Sequence, residues 1–228
     1  QRKEGAIDTK RIESELIEKL KTESGFTFHE QGNAAKAEAS AARVIQAQYK
    51  APYLAHATME PMNCTALITD YRAEVWVASQ NAEASMAALS SASGLPLEKC
   101  EVYNQTLGGG FGRRGGQQDY VRQATLLGKQ MPGVPVKLIW SREEDMGQDF
   151  YRPIGQCKLE AGLDAQGNLL GLQLRVSGQS INAYLSPQNI KDGKDRRQLQ
   201  GYWTEPHDAQ LGYTVPNLRT EYAMRNTH

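Results

Sequence analysis

Apolar residues at Ile12, Leu16, Ile17 and Leu20 recur at the spacing of one helix face, with Asp8 or Thr9 placed to cap the start and Gly25 to stop it. The other face, Arg11, Glu13, Glu15, Glu18, Lys19 and Lys21, is charged and reads as solvated. A polar, Ala-rich bridge covers residues 31–42, and residues 45–50 alternate cleanly, which predicts a half-buried strand. Residues 65–69 and 74–78 predict a strand pair turned at Asp70-Tyr71-Arg72. Residues 82–93 predict a helix ended by Gly94, and 101–103 a short strand. A helix over 117–130 places Tyr120, Val121, Ala124 and Leu127 on one face, and 136–140 reads as a buried strand. The clearest pattern follows Pro153. Cys157, Leu159, Ala161 and Leu163 alternate with polar partners, Asp164-Ala165-Gln166-Gly167 turns, and Leu170, Leu172, Leu174 and Val176 alternate on the return, a β-hairpin. Residues 186–200, with Lys191, Lys194, Arg196 and Arg197 among acids and amides, read as a surface excursion. The class is α+β, a mixed sheet with antiparallel hairpins and packed helices.

Composition narrows the partners. The chain has 228 residues, with 26 Lys+Arg against 26 Asp+Glu, and a neutral chain of this kind lacks the basic surplus that a nucleic-acid backbone selects. Its apolar runs, such as 75–78 and 138–140, are too short to span a bilayer, so no transmembrane segment is expected. Cys64, Cys100 and Cys157 are odd in number, widely spaced and without a CxxC pair, which argues against both a disulfide scaffold and a zinc ribbon. Cys157 falls on the apolar face of the hairpin and reads as a small core residue. The histidines His29, His56, His207 and His228 are scattered, complete no metal-ligand set, and leave His56 and Glu60 as a structural pair. The start at Gln1, without Met, and the end just past a strand-like run read as those of an internal piece of a longer protein.

The most specific chemistry lies in Gly108-Gly109-Gly110-Phe111-Gly112-Arg113-Arg114-Gly115-Gly116. Gly110 to Gly115 satisfies the GxGxxG dinucleotide pattern, but that fingerprint follows a central, continuously apolar strand, and residues 99–105 are polar. No Gly-Lys-Ser/Thr occurs, which excludes a P-loop. As a plain turn, three consecutive glycines are expensive in backbone entropy. Close backbone approach to a bulky ligand explains them better. Successive N–H groups without Cβ shielding, opening onto a helix start, suit oxo or phosphate oxygens. Arg113 and Arg114 add positive charge beside the loop, and Phe111 either packs under it or walls off a pocket.

Gly-Gly-Gly-Phe-Gly followed by Arg-Arg resembles the molybdenum-cofactor-binding subunit of the xanthine oxidase and aldehyde oxidase family. It is more narrowly similar to the isoquinoline 1-oxidoreductase beta subunit and related bacterial aldehyde dehydrogenases. Three further segments agree in order and spacing. They are residues 51–66 (APYLAHATMEPMNCTA), residues 75–81 (VWVASQN), and residues 140–146 (WSREEDM) with Arg152-Pro153 after them. The resemblance covers most of residues 49–176 and divides the chain into a connector helix and polar bridge (1–42) and a partial molybdenum-cofactor-binding domain (43–228).

The resemblance implies a site. Gln80 lies 31 positions before Phe111, the separation the family keeps between its cofactor glutamine and the glycine-loop Phe, and its amide would donate to the apical oxo ligand of molybdenum. An amide donates there without adding charge. Gly109, Gly110, Phe111, Gly112 and Arg113 complete the expected cofactor contacts. The family's purine-converting members carry a glutamate where this chain has Gly115, so the implied substrate is an aldehyde or an N-heteroaromatic compound, hydroxylated with water as oxygen source. The implied cofactor is molybdopterin in its cytosine dinucleotide form. The implied partners are the remainder of the large subunit and a small subunit with two 2Fe–2S clusters. The catalytic glutamate base is expected outside this chain, so the piece alone is expected to be inactive and to lack the cofactor. The family has cytoplasmic and exported members, which leaves the compartment open. A non-catalytic scaffold domain and a dinucleotide-binding domain are the competing readings.

Overall fold

The computed structural model of the chain describes residues 8–21, 25–199 and 213–225. In chain order the elements are α1 (Thr9–Lys21), β1 (Phe26–Gln31), α2 (Ala34–Ala39), β2 (Arg43–Ala51), β3 (Asn63–Ile68), β4 (Ala73–Val77), α3 (Ala82–Ser93) and β5 (Cys100–Asn104). Then follow α4 (Asp119–Gly128), β6 (Val136–Ile139), α5 (Arg142–Gly147), β7 (Gly155–Leu163), β8 (Leu169–Gly178), α6 (Asn182–Leu185) and β9 (Leu218–Met224). They divide into two compact units. One takes the chain up to Tyr53 and again from Pro153, and the other is Leu54–Arg152.

The first unit is a five-stranded sheet in the order β1-β9-β8-β7-β2 with α1 and α2 packed on β7 and β8. The expected hairpin is its spine. Cys157, Leu159 and Ala161 stand opposite Val176, Leu174 and Leu172. Its turn is fixed by Asp164, whose Oδ1 accepts from the backbone N–H of Gln166 at 2.9 Å and of Asn168 at 2.8 Å. Asp8 caps α1 by accepting from Arg11 N at 2.7 Å. Ile12, Leu16 and Leu20 are buried, while Ile17 lies just off that stripe and is exposed. The cut drawn at residue 42 falls between α2 and β2, inside this unit.

Two expectations change here, and the excursion gains an anchor. The polar bridge contains the last residue of β1 and the whole of α2, capped by Asn33, whose Oδ1 accepts from Lys36 N at 2.8 Å. α2 buries only Ala34 and Ala37, so it carries no large apolar stripe to detect. It packs by small residues, and a Cβ added to Gly171 would sit 2.9 Å from the Ala37 Cβ. β2 forms but is an edge strand, with Val44, Ile45 and Tyr49 exposed, not half-buried. In the excursion after Ser186, Asp195 is buried and accepts from Ser180 Oγ at 2.5 Å, Asn182 Nδ2 at 2.9 Å and Arg197 N at 3.0 Å. Gln200, His207 and His228 lie outside the described residues.

The second unit is a four-stranded sheet in the order β5-β4-β3-β6, mixed as expected: β3 pairs antiparallel with β4 and β6, and β4 pairs parallel with β5. The parallel pair requires a crossover, and α3 supplies it. Gly94 ends α3 at φ +82°, its N–H bonded to Ser90 O at 2.9 Å. The polar residues of β5 follow from its place at the sheet edge. Met62, Cys64, Ala66, Val75, Val77, Leu89, Tyr120, Val121, Ala124 and Trp140 form one core under α3 and α4. Leu127, expected on the buried face of α4, is exposed; Thr125 and Gly128 take that side of the last turn. β6 is likewise an edge strand, with Ile139 exposed and Trp140 buried. Among the described residues no helix is long and apolar enough to cross a membrane.

Candidate functional site: a glycine loop held by Gln80

All of the expected site residues fall in the second unit, where β4 leads to Gln80 and β5 leads to the glycine loop. Gln80 follows β4 just before the Asn81 cap of α3. Its backbone N–H donates to Arg114 O at 3.1 Å. Its side-chain Oε1 accepts from Gly112 N at 3.0 Å and from Arg114 N at 3.3 Å. Two backbone donors demand the oxygen at that end, so the amide orientation is settled by the network. The Nε2 group makes no hydrogen bond among the described residues, and Gln80 is exposed.

The glycines have three separate reasons. A Cβ on Gly110 would lie 2.5 Å from Gln80 Oε1, and one on Gly108 would lie 2.4 Å from the Glu60 Cβ. Gly109 and Gly112 both sit at φ +99°, which a side chain disfavours. The absence of Cβ at Gly108 and Gly110 therefore admits this chain's own side chains, where close approach of a ligand was the sequence-based reason. Among the described residues the amides of Gly109, Gly110 and Phe111 have no hydrogen-bond partner, Gly110 being buried, while those of Gly108, Gly112 and Arg113 are bonded to Glu60, Gln80 and Gly110. Phe111 is itself at φ +54° and 76% exposed, with a ring atom 3.6 Å from where a Gly109 Cβ would stand. Its ring walls the loop; it does not pack beneath it. The start of α4 lies behind, tied to the loop by Gln118 Nε2, which donates to Arg114 O at 3.1 Å and Gly115 O at 3.0 Å.

The two arginines do not offer their charge to solvent. Arg113 is 1% exposed, donates to both carboxylate oxygens of Asp119 at 3.0 and 2.9 Å, and lies against the Trp140 and Phe150 rings. Its Nε is 3.1 Å from Asp149 Oδ1 but off line for a hydrogen bond. Arg113, expected among the cofactor contacts, thus has its guanidinium and its N–H engaged inside the chain. Arg114 is fully buried and reaches Gly109 O at 3.0 Å, Ala78 O at 3.3 Å and Glu60 O at 2.6 Å.

His56 and Glu60 serve different partners. His56 Nδ1 is 2.9 Å from Asp149 Oδ1, and its backbone N–H donates to Oδ2 of the same carboxylate at 2.5 Å. Glu60 accepts from Gly108 N at 2.9 Å and from Asn63 Nδ2 at 2.8 Å. Burial alone would raise its carboxyl, but the Asn63 and Gly108 donors and the Arg114 charge outweigh it and hold Glu60 below the usual glutamate range. Arg142 joins the same segment from α5, donating to Thr58 O and to Met59 O at 3.3 Å. Asp119, Asn63 and Asp149 are the partners that sequence reasoning missed. Asp119, just past the two arginines, carried a legible signal; Asp149 carried none. Among the described residues no three His, Cys, Asp or Glu side chains are grouped to hold a metal ion.

Residues 17–188 match the family model of the molybdopterin cofactor-binding domain. The chain is 29% identical over 170 residues to a membrane-bound aldehyde dehydrogenase (pyrroloquinoline-quinone) of Gluconacetobacter polyoxogenes, covering 75% of this chain and 22% of that protein. It is 30% identical over 151 residues to isoquinoline 1-oxidoreductase subunit beta of Brevundimonas diminuta, covering 64% of this chain and 19% of that one. The chain thus spans about a fifth of the length of these relatives. The fold is similar to that of quinoline 2-oxidoreductase from Pseudomonas putida 86, with a TM-score of 0.62 and 19% identity over 87% of this chain and 24% of that one. With more than half of its length matched, the chain belongs to the molybdopterin cofactor-binding domain family.

Proposed function

We propose that this chain holds the molybdenum end of a molybdopterin, in its cytosine dinucleotide form, within a larger molybdenum hydroxylase that oxidises an aldehyde or an N-heteroaromatic compound. The observation that carries this reading is the unpartnered Gln80 Nε2 beside three unpartnered amides, of Gly109, Gly110 and Phe111. Such a set fits a group rich in anionic and oxo oxygens, because every free group in it is a neutral donor. When bound, the cofactor supplies the transfer of a water-derived oxygen and the uptake of two electrons. The chain's own residues position. Gln80 donates a hydrogen bond without coordinating, the loop amides fix the facing edge, and the exposed Phe111 ring gives an apolar wall to the substrate. Arg113 supports the loop from within, through Asp119. Gly115, in place of a carboxylate, favours aldehydes and N-heteroaromatics over purines. The catalytic base lies in another part of the enzyme, and electrons leave through an iron–sulfur subunit.

The test uses the full-length protein purified with its partner subunits, assayed for molybdenum, pterin and substrate-dependent dye reduction. Wild type should contain both and turn over. Gln80→Ala should keep its metal and lose about tenfold in kcat, the equivalent of ~1.4 kcal/mol. A folded full-length protein without molybdenum and pterin, or a Gln80→Ala variant at the wild-type rate, contradicts the reading.

A further inference from the structure

We propose that Glu60 is a positioning residue: its carboxylate, acting through Arg114, holds the glycine loop and sets how Gln80 is presented. As a statement about catalysis this rests on the function proposed above; as a statement about the loop it does not. Glu60 grips residue 108 from both sides. Its N–H donates to Gly108 O at 3.0 Å, and its Oε2 accepts from Gly108 N at 2.9 Å. The same Oε2 lies 3.2 Å from the Arg114 guanidinium, which is fully buried and has no other carboxylate within ion-pair distance among the described residues.

Arg114 carries the constraint onward. Its guanidinium bonds the carbonyl of Gly109 inside the loop and that of Ala78, two residues before Gln80. Its backbone N–H donates to Gln80 Oε1 and its backbone C=O accepts from Gln80 N. One carboxylate is thereby linked, contact by contact, to both ends of the residue whose amide faces outward. Outer hydrogen bonds that orient an inner ligand commonly act in this way.

The carboxylate is suited to this position in a way an amide is not. Its two oxygens accept from Gly108 N and Asn63 Nδ2, and Oε2 also lies 3.2 Å from the Arg114 Nη2 charge. The nearby charges, Arg114 and Lys137, are both positive. A glutamine has one acceptor oxygen, so an N–H would face a donor and the buried guanidinium would lose its counter-charge. Glu60 itself stands outside the apolar core of its unit, so its loss should be felt first in the loop.

The experiment compares Glu60→Gln, Glu60→Asp and Asn63→Ala with wild type in the full-length protein. Hydrogen exchange is read first without cofactor. In Glu60→Gln the protected amides of Gly108, Gly112 and Arg114 should exchange about tenfold faster, with α3 and α4 unchanged. Asn63→Ala, which keeps the charge, should give a smaller acceleration at the same amides. In loaded enzyme Glu60→Gln should lower kcat with little change in KM, and Glu60→Asp should restore part of it. Unchanged loop exchange, or equal acceleration throughout residues 54–152, overturns the inference. If Glu60→Gln does not fold, Asn63→Ala decides by the same criterion. If the loop responds but the full-length protein carries no molybdopterin, the proposed function falls and the role of Glu60 in the loop stands.

Discussion

The side-chain oxygen of Gln80 lies 3.0 Å from the amide nitrogen of Gly112, and this contact decides which end of the Gln80 amide faces outward. It joins the end of one strand to a loop that follows another, and it makes two substitutions at Gln80 separable. Gln80→Glu keeps an acceptor for Gly112 and Arg114 while replacing the outward donor by a carboxylate oxygen. Gln80→Ala removes both. Thermal unfolding should show Gln80→Glu at or above wild-type stability and Gln80→Ala lower by about 1–2 kcal/mol, since charged acceptors bind N–H groups more strongly. Both should lose turnover.

Gly110→Ala and Gly112→Ala should fail for different reasons. The first puts a Cβ 2.5 Å from Gln80 Oε1, and the second meets open space but at φ +99°. Gly110→Ala should therefore displace Gln80 and lower turnover to the level of Gln80→Ala. The double variant Gln80→Ala with Gly110→Ala should be no worse than either alone, because the clash is gone. Gly112→Ala should instead lose about 1–2 kcal/mol of stability in thermal unfolding through backbone strain.

Arg113 should behave as a structural ion. It is paired with Asp119, whose side chain stays 30% exposed, and lies beside the buried Asp149 carboxylate and against two aromatic rings. Arg113→Ala should cost about 3 kcal/mol in unfolding measurements, because it takes the guanidinium from the buried Asp149 carboxylate, which keeps only His56 and backbone donors. Added salt should change that loss little, since buried pairs are weakly screened.

Burial pushes the Cys64 thiol up to about 12 and the Cys157 thiol up to about 11. The thiolate is the reactive form, so at pH 8 both should resist alkylation in the folded protein. Raising the pH towards 11 should accelerate Cys157 before Cys64. Mass-spectrometric mapping after a short iodoacetamide pulse checks this, with denatured protein as the fully labelled reference.

Where a residue's role depends on its own neighbours in sequence, it was legible. The hairpin register from Cys157 to Val176, the Gly94 stop of α3 and the cap at Asp8 follow from alternation, from left-handed φ and from a capping side chain. α2 was not legible, because it buries only Ala34 and Ala37, with Ala37 set against Gly171 and Gly162, and carries no large apolar residue. In the structure Gln80 and the glycine loop are joined through Gln80 Oε1 and Gly112 N. The reason for Gly110 was not legible, since only folding brings the Gln80 side chain against it. Arg113 and Arg114 read as charge offered to a ligand: the Asp119 partner of Arg113 lay six residues on and was overlooked, while the Glu60 partner of Arg114 comes from a distant segment.

The proposed placement of Gln80 Nε2 and the amides of Gly109–Phe111 against the molybdenum end of the cofactor is decided by a structure of the full-length protein loaded with its cofactor. Gln80 Nε2 should lie within about 3.2 Å of a cofactor oxygen, with Oε1 still bonded to Gly112 N. A cofactor bound away from residues 108–112, or a Gln80 amide reversed with its nitrogen turned towards the loop, contradicts it.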